Sequence, residues 1–393
     1  MEKKRWILAA NALAGFLFLG LIYAWGVFVG PLEQEFGWTR SQTSLTFSIC
    51  MATFCVGGLA AGWLLKRMAP RAVIILCAVV IMTGFFLASR VRSLYELYIF
   101  YGVFCGFAVG IGYNTLLDAT LRWFPDQQGL ISGTLLMGFG VGGSLLGSAA
   151  VFMMNAMGWR RTFEALGGAL ALLLAVIALN VKRPPSGQEK RQGDEQNFLT
   201  AEMLRDGSFH AYYFRSMFVA AIGLAMVGNA APFAYSVSHD PVAAASIGGL
   251  VSMFSGVGRI AGGVVFDRVG SRKALWLGVG SVTLSIGVLT CAAVSNSLAV
   301  LTAGYAMGGF FYGANVPCNS GYTNKIYGQE NFAVNLGVLN TNVIFSSFLG
   351  PYVAGVLFTH TGSYVAPYVM LLAMCGGAVA ATALIRRHYT PMP

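Results

Sequence analysis

Apolar runs of about twenty residues follow one another along almost the whole chain, with short polar breaks between them. A helix needs roughly 20 such residues to cross the hydrocarbon core of a bilayer. Only helices and closed barrels leave no backbone polar group unpaired there. Twelve runs are read, near residues 6–30, 41–65, 72–90, 95–118, 129–153, 162–181, 209–233, 243–266, 274–294, 298–320, 333–358 and 364–385. The expected fold class is an all-α membrane protein. Composition agrees: only 10% of the 393 residues are charged, against about 25% in a soluble domain. That excludes a soluble enzyme, a disordered chain and a nucleic-acid binder. The lipid bilayer is the first expected partner, and nucleic acid is not one.

Between the sixth and seventh runs lies the one long polar stretch, Lys182 to Asp206, in which Pro184, Pro185, Ser186 and Gly187 precede mixed charges. It reads as a flexible linker. The expected organisation is a six-helix half over 1–181, a cytoplasmic linker over 182–206 and a second six-helix half over 207–393. The basic start, Met1 to Arg5, precedes an apolar run reaching about Gly30, too long for a signal-peptide core, so it is expected to remain as the first span. Lys and Arg set the orientation. With the N-terminus inside, only Arg40, Arg90, Arg92, Arg160 and Arg161 fall in outer loops; Arg215 and Arg259 lie within spans, and the other eighteen of the 25 lie inside. Both termini are expected in the cytoplasm of a cell-membrane protein (the inner membrane in a Gram-negative cell). The net charge of +10 belongs to this asymmetry, aided by anionic lipid.

Seven cysteines form no C-x-x-C pair and read as small apolar core residues. The histidines His210, His239, His360 and His388 are scattered. No metal set and no cofactor are expected. Gly138-Phe139-Gly140-Val141-Gly142-Gly143 satisfies G-x-G-x-x-G, but it lies inside a span with no strand before it, so helix packing is its expected use.

The chain repeats itself. Gly62-Trp-Leu-Leu-Lys66-Arg67-Met-Ala-Pro-Arg71 follows the second run, and Gly263-Val-Val-Phe-Asp267-Arg268-Val-Gly270-Ser-Arg272-Lys273 follows the eighth, at an offset of 201 residues. Duplicated six-helix units are a plan of many secondary transporters, with a substrate site near the midplane. The second loop, G-x-x-x-D-R-x-G-x-R-K, resembles the signature loop of the major facilitator superfamily. Three further stretches, Phe36-Gly37-Trp38-Thr39-Arg40-Ser41, Arg122-Trp123-Phe124-Pro125-Asp126 with Gly129, and Gly158-Trp159-Arg160-Arg161-Thr162-Phe163, resemble its oxalate/formate antiporter and monocarboxylate transporter branch. The resemblance implies the major facilitator fold, with twelve transmembrane helices in two pseudo-symmetric six-helix halves, and no enzyme activity. It also implies that the signature loops lock the cytoplasmic face. Lys66 stands where the family usually has Asp, so gating is expected to concentrate on Asp267 and Arg268.

Arg259 is the most informative residue. It precedes Asp267 by eight residues, so it lies about 12 Å inside the cytoplasmic end, near the middle of a ~30 Å core. A charge there costs at least ~2.5–3.5 kcal/mol on insertion scales. No acidic residue falls at comparable depth, and a guanidinium fork matches a carboxylate. The residue at the repeat-equivalent position is Gly58, so the shared scaffold does not demand this charge. The resemblance adds that the family's eighth helix carries an Arg holding the substrate carboxylate. It also places Val343 where oxalate carriers have a second cation, so one deep charge and a monoanion are expected. Tyr113 and Phe311 are expected as aromatic walls, with Asn315, Asn340 and Asn342 as neutral donors; Tyr23 and Asn11 are further candidates. Arg215 reads as an anchor that snorkels to the interface.

The reading is a secondary transporter of a small organic anion, a monocarboxylate such as lactate, pyruvate or formate, moved by alternating access and expected to be monomeric. A co-transported proton or a counter-transported anion both stay open. The alternatives are a dicarboxylate such as oxalate carried by exchange, and a neutral or cationic solute with Arg259 structural. A membrane-embedded enzyme or sensor is disfavoured, because no loop exceeds about 25 residues and no nucleophile or metal constellation appears.

Overall fold

The computed structural model describes residues 2–181 and 197–385. Among these residues every regular element is helical. In chain order they are α1 (Glu2–Leu19) and α2 (Trp25–Phe36), joined by a 3-10 turn; α3 (Arg40–Leu65); α4 (Pro70–Ala88); α5 (Leu94–Leu97), running through a π-helical stretch (Tyr98–Cys105) into α6 (Gly106–Leu121); α7 (Gln128–Asn180); α8 (Thr200–Arg205); α9 (Gly207–Ser238); α10 (Pro241–Val269); α11 (Ser271–Ser295); α12 (Leu298–Tyr327); α13 (Phe332–Asn340); α14 (Asn342–Ser347), continued by a π-helical turn (Phe348–Tyr352) into α15 (Val353–Thr361); and α16 (Val365–Leu384). Pro351, which has no N–H to give, lies in that π turn.

Ten helical runs among the described residues are long and apolar enough to cross a membrane. One of them, the 53-residue α7, contains a non-helical residue, Gly158, at φ 80° and ψ 162°, where two helices join. The 30-residue α12 is long enough but carries Asn315, Asn319 and Asn324. The starts follow local chemistry. Thr39 and Gln42 exchange bonds in a capping box at α3 (2.9 and 3.4 Å). Pro70 and Pro241 open α4 and α10, where a missing N–H is harmless. Gly37, at φ 70°, ends α2 in the left-handed conformation.

Contacts group the chain into two compact units. The first is Met1–Asp126, Gly138–Asp194 and Gln329–Thr341; the second is Gln127–Met137, Glu195–Gly328 and Asn342–Pro393. The division therefore departs from a simple cut at the linker: a segment from each half of the sequence is packed with the other half. Of the expected linker, 182–196 lies outside the described residues, as do Arg386, Arg387 and His388. The rest makes defined contacts. Phe198 N–H donates to the Tyr327 carbonyl at 3.1 Å, and α8 follows, with Glu202 accepting from the Leu199 N–H at 2.7 Å.

In the first unit, glycines let α6 lie against α3; a Cβ at Gly110 would be 2.0 Å from the Phe54 carbonyl oxygen. The G-x-G-x-x-G stretch is helix interior, and Gly142 backs onto Leu17. Two of the three motifs read above, those around Trp38 and Trp159, form one cluster, whereas Phe124 of the third meets Trp6 at 5.1 Å. Phe36 stacks on Trp38 at 4.3 Å, and Arg160 lies over Trp159 at 4.4 Å. Glu35 accepts from Trp159 at 2.6 Å and from Arg160 at 2.7 Å. Cys291 is exposed; the other six cysteines are buried, as a core role requires.

Candidate functional site

In the second unit, the first turns of α7 lie along α10 in a seam built from glycine. A Cβ at Gly129 would lie 2.3 Å from the Gly263 carbonyl oxygen, and one at Gly133 would lie 2.3 Å from that of Arg259. Backbones can come this close only without side chains. At one end of the seam the Asp267 carboxylate accepts from the N–H groups of Gly129 (2.8 Å) and Leu130 (2.9 Å). These are first-turn donors with no intrahelical partner, at the positive end of the helix dipole. Asp267 is exposed at the surface, as is Arg268 beside it.

Two turns further along the same face, the Arg259 guanidinium donates through Nη1 to the Leu136 carbonyl oxygen. Its Nε is buried with no hydrogen-bond partner. Among the described residues it meets no carboxylate. Arg259 is half-buried. The deep cation is thus held by a neutral acceptor, with donors left over.

Arg215 differs from its expected anchoring role. It is only 1% exposed, so it does not snorkel to the interface. Its Nη2 donates to Asn315 Oδ1 at 2.7 Å and to the Leu275 carbonyl at 3.4 Å, and the guanidinium lies 5.8 Å from the Tyr212 ring centre. Asn315, expected as a cavity donor, gives its amide protons to the Gly278 (3.1 Å) and Phe311 (2.9 Å) carbonyls. Its amide is occupied with orienting Arg215. The reason is reach: on α12 the Asn315 side chain meets α9 and α11 at once, across Gly278, where a Cβ would be 2.3 Å from Oδ1. Leaving a buried charged donor without its acceptor costs about 1–3 kcal/mol or more. Asn315→Leu should therefore lower the melting temperature in detergent sharply, and adding Arg215→Met should restore most of the loss, because no charge is then stranded.

The other expected residues are placed separately. Tyr113, in the first unit, lies among Phe16 (5.1 Å), Phe54 (5.3 Å) and Phe139 (5.3 Å) in an aromatic box. Phe139 also meets Tyr23 at 5.2 Å. Phe311, in the second unit, packs on Phe310 at 5.5 Å and borders the apolar core of that unit with Tyr312. Asn340 belongs to the first unit, where its backbone carbonyl accepts from the Cys55 thiol at 3.4 Å. Asn342 belongs to the second, fully buried, with both amide atoms unpaired. An orphaned buried amide costs about 1–3 kcal/mol.

Asp118, an acid at the end of the fourth span, has no site role in the sequence reading. It is 2% exposed and pairs with Arg122 at 2.9 Å. It accepts from Gln329 Nε2 at 3.2 Å, while Arg122 donates to the Gln329 carbonyl at 3.1 Å. Beside it Asn114 Nδ2 donates to the carbonyls of Gly58 (2.8 Å) and Ala333 (3.4 Å). This cluster ties the 329–341 segment into the first unit. The i,i+4 spacing of Asp118 and Arg122 was the available signal.

The seam is built from glycine, a signature-loop acid meets a helix N-terminus, and Arg259 is held by a carbonyl. The Major Facilitator Superfamily model matches residues 11–290 and 216–393. The chain belongs to the major facilitator superfamily. It is 25% identical over 342 residues to the oxalate:formate antiporter of Oxalobacter formigenes, covering 85% of this chain and 81% of that protein. It is 25% identical over 364 residues to monocarboxylate transporter 13 of Rattus norvegicus, covering 90% and 82%. A solved structure of the proton:xylose symporter XylE bound to 6-bromo-6-deoxy-D-glucose superposes with a TM-score of 0.70 at 14% identity, covering 97% of this chain and 95% of that one. This major facilitator protein is a multi-pass membrane transporter, not an enzyme.

Proposed function

We propose that this transporter carries a small organic monoanion such as lactate, pyruvate or formate, with Arg259 binding the carboxylate. The observation that carries the reading is the pairing of Arg259 with a backbone carbonyl and no acid. A carboxylate is a stronger, charged acceptor and competes for the same donors. Phe311 and Tyr312 lie in the same unit and offer apolar walls; the box around Tyr113 is proposed as a wall of its own unit. Asn342 is proposed to meet a polar atom of the solute or a bridging water, and Asn340 is kept as a neutral donor. Asn315 is reassigned to positioning Arg215. The relatives that carry an oxalate:formate or monocarboxylate label support the class of solute.

Ten spans, with α7 divided at Gly158 and α12 added, give twelve helices. These divide into halves over 1–181 and 207–393, with both termini proposed in the cytoplasm of the cell membrane. Movement is proposed to proceed by release of two exchanged segments: 127–137 from Asp267 and Arg259, and 329–341 from Asp118 and Asn114. Arg268 is proposed to assist at the rim. A second reading, a neutral solute with Arg259 structural, draws on the same Leu136 contact. Uptake by Arg259 variants, argued below, separates the two.

The gate has its own test. Asp267→Ala leaves two helix-terminal donors unpaired and removes about 1 kcal/mol of charge–dipole stabilisation. A cysteine at the fully buried Ser132 should then react several-fold faster with a membrane-impermeant maleimide than in the Asp267 background. Unchanged labelling would leave Asp267 as a helix cap without a gating role.

A further inference from the structure

The first signature loop, between α3 and α4, departs from its repeat partner by carrying Lys66 in place of an acid. In the second loop that acid, Asp267, is spent on the seam. In the first, the loop borders a cavity of about 540 Å³ lined by Lys66, Arg67 and Arg71 with Leu65, Met68 and Val181, and no acidic residue among the described ones lines it. The Arg67 guanidinium lies 3.8 Å from the ring centre of Trp63, which is 53% exposed. An exposed Trp stacked with Arg is typical of the membrane–water interface. α4 begins there without a side-chain cap, so its first-turn N–H groups add to the positive field. Below Arg71, the residues Ile75, Val79, Met82 and Phe86 are all exposed. Their spacing of four, three and four puts them in line with Arg71 on one helix face.

We propose that this cavity binds the headgroup of an anionic phospholipid, whose acyl chains run along the Ile75–Phe86 face of α4. The three cations recognise a phosphodiester, and the apolar strip directly beneath them selects an amphiphile over a free phosphate ion. Cation pockets at the membrane surface recognise lipids in this way.

The test is competition between phosphatidylglycerol and phosphatidylcholine for the full-length protein, read by native mass spectrometry after mild delipidation. The wild type should retain phosphatidylglycerol in clear excess. Each replacement of Lys66, Arg67 or Arg71 by Gln should lower the ratio roughly fivefold, and the triple variant should approach parity. Arg268→Gln with Arg272→Gln and Lys273→Gln, at the repeat-equivalent loop, should leave the ratio unchanged. Should the triple variant fail to fold, the exposed Lys66→Gln alone carries the measurement. Equal ratios in wild type and Lys66→Gln overturn the proposal. So does displacement of the lipid by millimolar inorganic phosphate, which would make the site one for a soluble anion.

Discussion

Uptake of lactate, pyruvate or formate into proteoliposomes should fall roughly 10²–10³-fold in kcat/KM when Arg259 becomes Ala, with the protein still folded and inserted. The magnitude is that of truncating a charged hydrogen-bonding partner of the solute. Arg259→Lys keeps the charge but loses the planar fork, so roughly a tenfold loss is expected, concentrated in KM. Size-exclusion profiles and melting curves check folding independently. The neutral-solute reading predicts the opposite pattern: a shifted melt, because the Leu136 contact is lost, with carboxylate binding absent from the wild type as well. Carboxylate uptake that survives in Arg259→Ala would end the substrate role for this residue. The same experiment with oxalate addresses the dicarboxylate alternative, since Val343 supplies no second charge for its other carboxylate.

The helices were legible because membrane insertion imposes a simple length and polarity rule. Even the join inside α7 falls at Gly158, between the runs read as 129–153 and 162–181. Arg259 stood out for the same reason: a charge eight residues inside a span has a depth that sequence spacing fixes. Its partner did not, because a backbone carbonyl exists at every position and Leu136 lies 123 residues away. Arg215 was misread on direction. A long side chain near a span end can reach water or turn inward, and Asn315, 100 residues on, with the Leu275 carbonyl draws it into the core. The exchange of the 127–137 and 329–341 segments is likewise a matter of long-range packing, visible at Asp118 and Gln329 rather than in any local pattern. Arg259 itself breaks the internal symmetry, since Gly58, its repeat equivalent, offers only a carbonyl to Asn114.

Gly263→Val should reduce turnover roughly 10–100-fold while leaving substrate binding at Arg259 measurable. A Cβ at Gly263 would lie 2.0 Å from the Gly129 carbonyl oxygen, and the reciprocal Cβ at Gly129 would lie 2.3 Å from that of Gly263. Both obstacles are backbone, so no side-chain rotation relieves them; the first turns of α7 have to leave α10. Separation also pulls the Gly129 and Leu130 N–H groups away from Asp267, so the steric cost and the lost charge–dipole contact act together. Labelling at Ser132→Cys should rise in Gly263→Val, as in Asp267→Ala, whereas uptake falls because the seam no longer closes in each cycle. Gly249→Val serves as the control: the same helix and substitution, with nothing within 4 Å of the added Cβ. If Gly263→Val turns over like Gly249→Val, the seam is passive packing and the gate lies elsewhere. Loss in Gly263→Val alone, with anion binding kept, would separate closure of this seam from recognition of the solute, which Arg259→Ala by itself cannot do, since Arg259 is proposed to take part in both.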